Sequence, residues 1–283
     1  MNDYLYRSGI KVKYGPTETN THVPPQPRIL FEGCPLCKSR KTATLRTADC
    51  SRHFLYRPVI APTMTWMCCN DCSHVFTDGY FSPEAAAIIF ENTHDNQKPG
   101  SAFEQQRMVS ARMVESVAQY IKGGSWLDVG FGNGSLLFTA EECGFTPVGV
   151  DLRRSSVEAM QQFGIEADCV DITAVNGSGR FSVISMADVL EHMPFPQDGL
   201  AAAQRLLQPE GVLFVSMPNY NCAAWRLLDA NNANPYWGEL EHFHNFSRTR
   251  LYTLMKDMGF EAIHYGVSER YRVCMEVILR RAN

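Results

Sequence analysis

The stretch WLDVGFGNGS, residues 126–135, decides how this chain is read. An apolar β-type run, SWLDV, carries into it and reaches Asp128. Three glycines then alternate at Gly130, Gly132 and Gly134, and SLLFTAEECGF resumes with helical spacing. A strand, a tight glycine turn and a helix in that order present backbone N–H groups at a helix start, where a nucleotide-like ligand can approach closely. The spacing is G-x-G-x-G. Dehydrogenases use G-x-G-x-x-G, and the small Ser135 keeps that reading open. A turn without any ligand is the plainer alternative.

Outward from the loop, β-type runs alternate with amphipathic stretches: TPVGVD, IEADCVD, FSVISMA and GVLFVSM. This alternation predicts an α/β fold, a parallel sheet covered by helices. GFEAIHYGV and YRVCMEVILRR, near the end of the chain, read as a hairpin on the sheet edge.

The acids discriminate between ligands. Asp128, just ahead of the glycines, would repel a pyrophosphate but suits an ammonium group. Asp151, with Leu152 beside it, closes the second strand 21 positions past Gly130, where a carboxylate accepts hydrogen bonds from ribose hydroxyls. Asp171 closes the third strand, where a carboxylate can take an adenine amino group and Ile172 can add backbone and apolar contact. Three acids at successive strand ends favour a cationic adenosine ligand. S-adenosylmethionine (SAM) has the ammonium and no phosphate.

After the fourth strand comes ADVLEHMPFPQDGLAAAQRLLQPEGVLFVSMPN. With the loop and the acids, this segment resembles the class I SAM-dependent methyltransferases, most closely the group with a DVLEH-type segment that includes ubiquinone-type O-methyltransferases. The resemblance covers roughly residues 105–280. It implies a Rossmann-like, seven-stranded, mostly parallel sheet with helices on both faces. It also implies Asp128 and the glycines near the methionine part of SAM, Asp151 on the ribose, Asp171 and Ile172 at adenine, and Ala187 lining the pocket. Glu191 and His192 are read as structural.

Cys34-Pro-Leu-Cys37 and Cys69-Asn-Asp-Cys72 form two matched Cys-x2-Cys knuckles. Four thiolates so presented fit tetrahedral zinc in a closed, structural site, and the metal would staple a segment too poor in apolar residues to fold alone. Cys68 competes with Cys69, His74 is a less suited fourth ligand, and metal-free thiols are the alternative. An N-terminal module of this kind ahead of a class I domain resembles certain sugar C-methyltransferases and certain rRNA guanine methyltransferases.

The expected organisation is an N-terminal arm over 1–30, a zinc-ribbon-like module over 31–80, a helical connection over 81–120 and a methyltransferase domain over 121–283. A long aromatic-rich insert at about 218–247 follows the fifth strand and is read as an acceptor lid. Within it, Glu241-His242-Phe243 and Phe246-Ser247 resemble the E-H-[LF]-x-x-F-S pattern of the sugar enzymes. There the matching histidine is proposed as a base, so His242 is the candidate base, Glu241 its orienting partner and His244 the reserve.

The 283 residues carry a net charge of −4 and ten cysteines. The acidic balance argues against a nucleic-acid partner. No segment has the apolar length to span a membrane, and the sequence reads as cytoplasmic with reduced thiols or metal ligands. The reading is a methyltransferase that modifies an oxygen or carbon of a small-molecule acceptor. An RNA methyltransferase that recognises RNA through its zinc module and a non-catalytic zinc-stapled binding protein are the alternatives. Oligomeric state is not encoded in any pattern.

Overall fold

The structure is a computed structural model that describes residues 28–90, 99–271 and 273–282. Most of the expected arm, 1–27, therefore lies outside the described residues. Five short strands come first: β1 (Arg28–Leu30), β2 (Thr42–Asp49), β3 (Thr63–Cys69), β4 (Val75–Thr77) and β5 (Gly79–Phe81). Two helices follow, α1 (Pro83–Phe90) and α2 (Phe103–Ala118). Ser82 starts α1 by accepting the Ala85 N–H on its hydroxyl at 3.2 Å, with Pro83 in the first turn, where no amide is needed.

The remainder alternates strictly at first: β6 (Gly124–Val129), α3 (Ser135–Glu142), β7 (Phe145–Val150), α4 (Arg154–Gln162), β8 (Glu166–Asp168), β9 (Phe181–Ala187), α5 (Pro196–Leu206) and β10 (Leu207–Pro218). The insert contributes α6 (Ala223–Ala230) and β11 (His244–Asn245). The chain then continues through α7 (Arg248–Asp257), β12 (Phe260–Val267) and β13 (Cys274–Arg281).

Seven strands form one sheet in the order β12-β13-β10-β9-β6-β7-β8. All pairings are parallel except the two made by β13. Alternation along the strands splits the core between the two faces. Leu127, Ile184 and Val215 face a layer that includes Leu200 of α5 and Leu254 of α7. Trp126, Val183 and Phe214 face Met113 and Val117 of α2 and Leu136 of α3.

The expected hairpin is present, but only β12 lies at the edge; β13 is inserted between β12 and β10. Burial explains the order. Val277, Ile278 and Leu279 are apolar towards both faces and fully buried, whereas β12 is mostly half-exposed and tolerates the edge.

The second sheet, β2-β3-β4-β11, joins three strands of the cysteine-rich segment to the short strand of the insert. Its core is shared: Trp66, Val75 and Phe81 pack with Trp225, Trp237 and Phe243. The indole N–H of Trp66 donates to the Trp237 carbonyl at 2.8 Å, and the Thr77 N–H donates to the Phe243 carbonyl at 2.9 Å. The insert expected as a lid is thus a docked wall with two fully or nearly buried tryptophans. No helix among the described residues is long and apolar enough to cross a membrane.

Candidate active site

The first turn after β6 shows why the glycines alternate. Gly132 has φ +59°, and its N–H donates to Asp151 Oδ2 at 3.2 Å. Gly134 has φ +78° and begins α3, and a Cβ there would stand 2.4 Å from the Met160 sulfur. Beneath the turn, Asp128 is 3% exposed. The Ser185 hydroxyl donates to Asp128 Oδ1 at 2.6 Å and accepts the Trp126 indole N–H at 2.8 Å. Burial pushes the Asp128 carboxyl up to about 7, against the pull of Ser185 and Arg270.

Asp128, Gly130, Gly132, Ala187, Glu241 and His242 line one cleft. Other residues that the sequence singled out stand apart from its wall. Asp151 is buried under Arg153: Oδ1 accepts the Arg153 backbone N–H and Nε, both at 2.9 Å, and Oδ2 accepts a terminal guanidinium N–H at 2.8 Å. Leu152 is exposed. Asp171 caps a short 3-10 turn at Ile172–Ala174, with Oδ1 accepting from the Thr173 N–H and hydroxyl, and Ile172 is in the core.

In the same cleft, His242 is buried and its Nδ1 has no hydrogen-bond partner, so no bond from Glu241 holds it. Burial first, then His192 and His53, hold His242 well below the usual imidazole range. The Glu241 carbonyl instead accepts the Nδ1 proton of His192 at 3.0 Å, and the His192 and His242 rings meet edge to face at 4.7 Å. His244, the reserve base, has both nitrogens engaged. Its Nε2–H donates to the Met193 carbonyl at 2.8 Å, and its Nδ1 accepts from His74 at 2.9 Å. It joins the cysteine-rich segment to the DVLEH loop and does not line the cleft.

Several lining residues escaped the sequence reading. Asp188, with φ +57°, lies 3.3 Å from Arg270 as an ion pair without hydrogen-bond alignment. His53 and Phe54 arrive from the loop between β2 and β3. The Leu55 N–H occupies His53 Nδ1 at 3.2 Å, which leaves the Nε2 proton for Glu239 at 2.9 Å. No motif in this loop marks it as part of a site.

Away from the cleft, Cys34, Cys37, Cys69 and Cys72 bring their sulfurs within 4.8 Å of one another. The Cys34–Cys72 and Cys37–Cys69 separations are 3.6 and 3.5 Å. A zinc–thiolate bond of about 2.3 Å places tetrahedral sulfurs about 3.8 Å apart, so the donor set fits. The knuckles match bond for bond. Cys34 and Cys69 donate their N–H to Ser39 and His74 carbonyls, and their own carbonyls accept from Lys38 and Ser73, both of positive φ. All ten cysteines are free thiols, and Cys68 is not part of the cluster.

A sequence profile described as a methyltransferase domain matches residues 103–265, more than half of the chain. Among curated proteins, a ubiquinone biosynthesis O-methyltransferase of Coxiella burnetii is 29% identical over 151 residues, 50% of this chain and 64% of that protein. One of Nitrosococcus oceani is 30% identical over 169 residues, 53% of this chain and 72% of its own length. The chain thus spans somewhat less than two thirds of the Coxiella relative. Among solved structures, the 1,6-didemethyltoxoflavin-N1-methyltransferase of Burkholderia thailandensis, with S-adenosylhomocysteine bound, superposes with TM-score 0.55 at 18% identity. That match covers 76% of this chain and 98% of the other. Magnesium protoporphyrin IX methyltransferase from Synechocystis superposes with TM-score 0.52 at 17% identity, covering 68% and 89%. At such identities the likeness concerns the fold. Profile, relatives and sheet order agree: the chain belongs to the methyltransferase-domain family and has the class I SAM-dependent methyltransferase fold.

Proposed function

We propose that the protein transfers the methyl group of SAM to an oxygen or carbon of a small organic acceptor. The observation that carries this reading is the buried Asp128 at the foot of the glycine turn, in the same cleft as His242 and Glu191. A buried carboxylate held by the neutral Ser185 hydroxyl and without an ion-pair partner in contact among the described residues is costly, and an ammonium group compensates it. In this reading Asp128 and the N–H groups of the turn hold the methionine end. Gly130, Gly132 and Gly134 give it room, Asp151 takes the ribose hydroxyls, Asp171 and Ile172 take adenine, and Leu152 and Ala187 add contact.

Cys34, Cys37, Cys69 and Cys72 hold a structural zinc ion, a closed set that leaves no open coordination position for chemistry. Ten free thiols suit the cytoplasm as the working compartment. Calorimetric titration of zinc-loaded protein with SAM, S-adenosylhomocysteine and NAD tests the reading. The two adenosyl ligands bind, Asp151→Ala loses them, and NAD gives no heat. NAD binding, or no adenosyl binding, refutes it.

A further inference from the structure

Two unpartnered groups lie side by side in the cleft. Both carboxylate oxygens of Glu191 and Nδ1 of His242 are buried without a hydrogen-bond partner, and Glu191 is 1% exposed. A Glu191 oxygen and one ring nitrogen each of His192 and His242 lie within 4.8 Å of one another. The backbones are fixed together as well, because the Phe243 N–H donates to the Glu191 carbonyl at 2.8 Å. Buried polar groups in native proteins find partners. A hydrogen bond between them would satisfy Nδ1 of His242 and one Glu191 oxygen at once.

We propose that Glu191 is the positioning residue for His242: its carboxylate accepts the Nδ1 proton, which leaves Nε2 of His242 as the base that meets the acceptor. The inference rests on the methyl-transfer reading and assigns to Glu191 the orienting role expected of Glu241.

The charges balance. Before transfer the Glu191–His242 pair carries −1 and the sulfonium donor +1. The acceptor X–H proton moves to Nε2, and the X–H electron pair forms the X–CH3 bond. The S–CH3 pair returns to sulfur. Afterwards the thioether is neutral, and the pair is a carboxylate beside an imidazolium, with no net charge. A lone imidazolium in that buried place would be unfavourable, as the depressed titration of His242 indicates. Burial and then Asp188 and Glu241 raise the Glu191 carboxyl, and Arg270 opposes them; the positive sulfonium of the donor in the same cleft favours the ionised form that the pair needs. His192 and His53 are the other ionisable side chains acting on the ring.

The test is NMR of zinc-loaded, 15N-histidine-labelled protein with S-adenosylhomocysteine, with His242 assigned by His242→Asn. The expected result is a ring protonated at Nδ1, whose titration midpoint falls by at least one pH unit in Glu191→Gln and is largely kept in Glu191→Asp. Midpoints equal to wild type in both variants, or an unprotonated Nδ1 in the wild type, overturn the proposal. So does selective broadening of His192 and His242 by micromolar Mn2+ that Glu191→Gln abolishes, which would make the cluster a cation site. S-adenosylhomocysteine affinity, measured on the same samples, reports separately on the methyl-transfer reading.

Discussion

Arg153 sits where the ribose is expected. A carboxylate offers about four acceptor positions. Asp151 fills all four, three with Arg153 and one with the Gly132 N–H. Ribose hydroxyls can reach Asp151 only when the guanidinium withdraws. Its two bonds join charged groups whose side chains are 18% and 4% exposed. Such bonds contribute about 1.5–3 kcal/mol net, which the adenosyl ligand must displace. Arg153→Ala keeps the backbone N–H and removes the competitor. S-adenosylhomocysteine should therefore bind about ten- to hundredfold more tightly by calorimetry. The same substitution leaves Asp151 buried without its counter-charge, so the free protein should lose about 3 kcal/mol in urea denaturation. Asp151→Asn should move affinity the other way. Unchanged or weaker binding by Arg153→Ala would show that the guanidinium does not compete for the ribose position.

Three further outcomes are expected. Removing zinc, or Cys34→Ser, should leave S-adenosylhomocysteine binding within a few-fold, because none of the four cysteines lines the cleft. It should red-shift tryptophan emission as Trp66, Trp225 and Trp237 become hydrated; lost binding with unchanged emission would contradict this. Adenosyl affinity should fall with pH as Asp128 protonates. The empty carboxyl titrates near 7, the bound one must be ionised, and the affinity is therefore present above 7 and lost below it. Between pH 7.5 and 5.5 the loss should be roughly twentyfold, and Asp128→Asn should flatten the profile; an equally steep profile in that variant would assign the titration elsewhere. Ser185→Ala leaves the buried Trp126 N–H without its partner and should cost about 1–3 kcal/mol in urea denaturation, against no change if water replaces the hydroxyl.

The local features of the fold were legible because they are written in consecutive residues. The glycine turn, Asp128 and Asp151 at their strand ends and the paired knuckles each depend on spacing along one short segment, whereas Asp171, expected to close the third strand, lies three residues past the end of β8 at Asp168. The order of β12 and β13 was also available: CMEVILRR is apolar on both faces and FEAIHYGV is not, which suits interior and edge. What stayed hidden depends on distant segments. His53 and Glu239 are 186 positions apart, and nothing near either residue marks the pairing. Arg153 follows Asp151 by two residues, yet an arginine after a strand end reads as a solvated side chain until its guanidinium is seen folded back. Glu241 and His242 are adjacent in sequence, and adjacency suggested cooperation. The backbone instead turns the Glu241 carbonyl to His192 and leaves a ring nitrogen of His242 beside Glu191 of the DVLEH loop.

Two difficulties in the sequence resolve each other in space. The cysteine-rich segment has too few apolar residues for a core of its own, and the aromatic-rich insert after β10 is too short to fold alone. Each supplies what the other lacks. The cysteine-rich segment presents Trp66 and Phe81, the insert presents Trp225, Trp237 and Phe243, and β11 completes the sheet begun by β2, β3 and β4. The shared core fixes the acceptor side of the cleft, since His242 immediately precedes Phe243 and His53 enters from the same module. The glycine turn and Asp128 depend on the seven-stranded sheet. The two cores also touch, because Cys34, Leu36, Cys69 and Phe76 pack in the same cluster as Leu127, Ile184 and Val215, and the Gln197 amide donates to the Leu36 carbonyl at 3.0 Å. A lesion in the cysteine cluster should accordingly loosen the α5 face of the seven-stranded sheet as well as the second sheet, since Cys34 and Cys69 pack against the first and β3 carries Cys69 into the second.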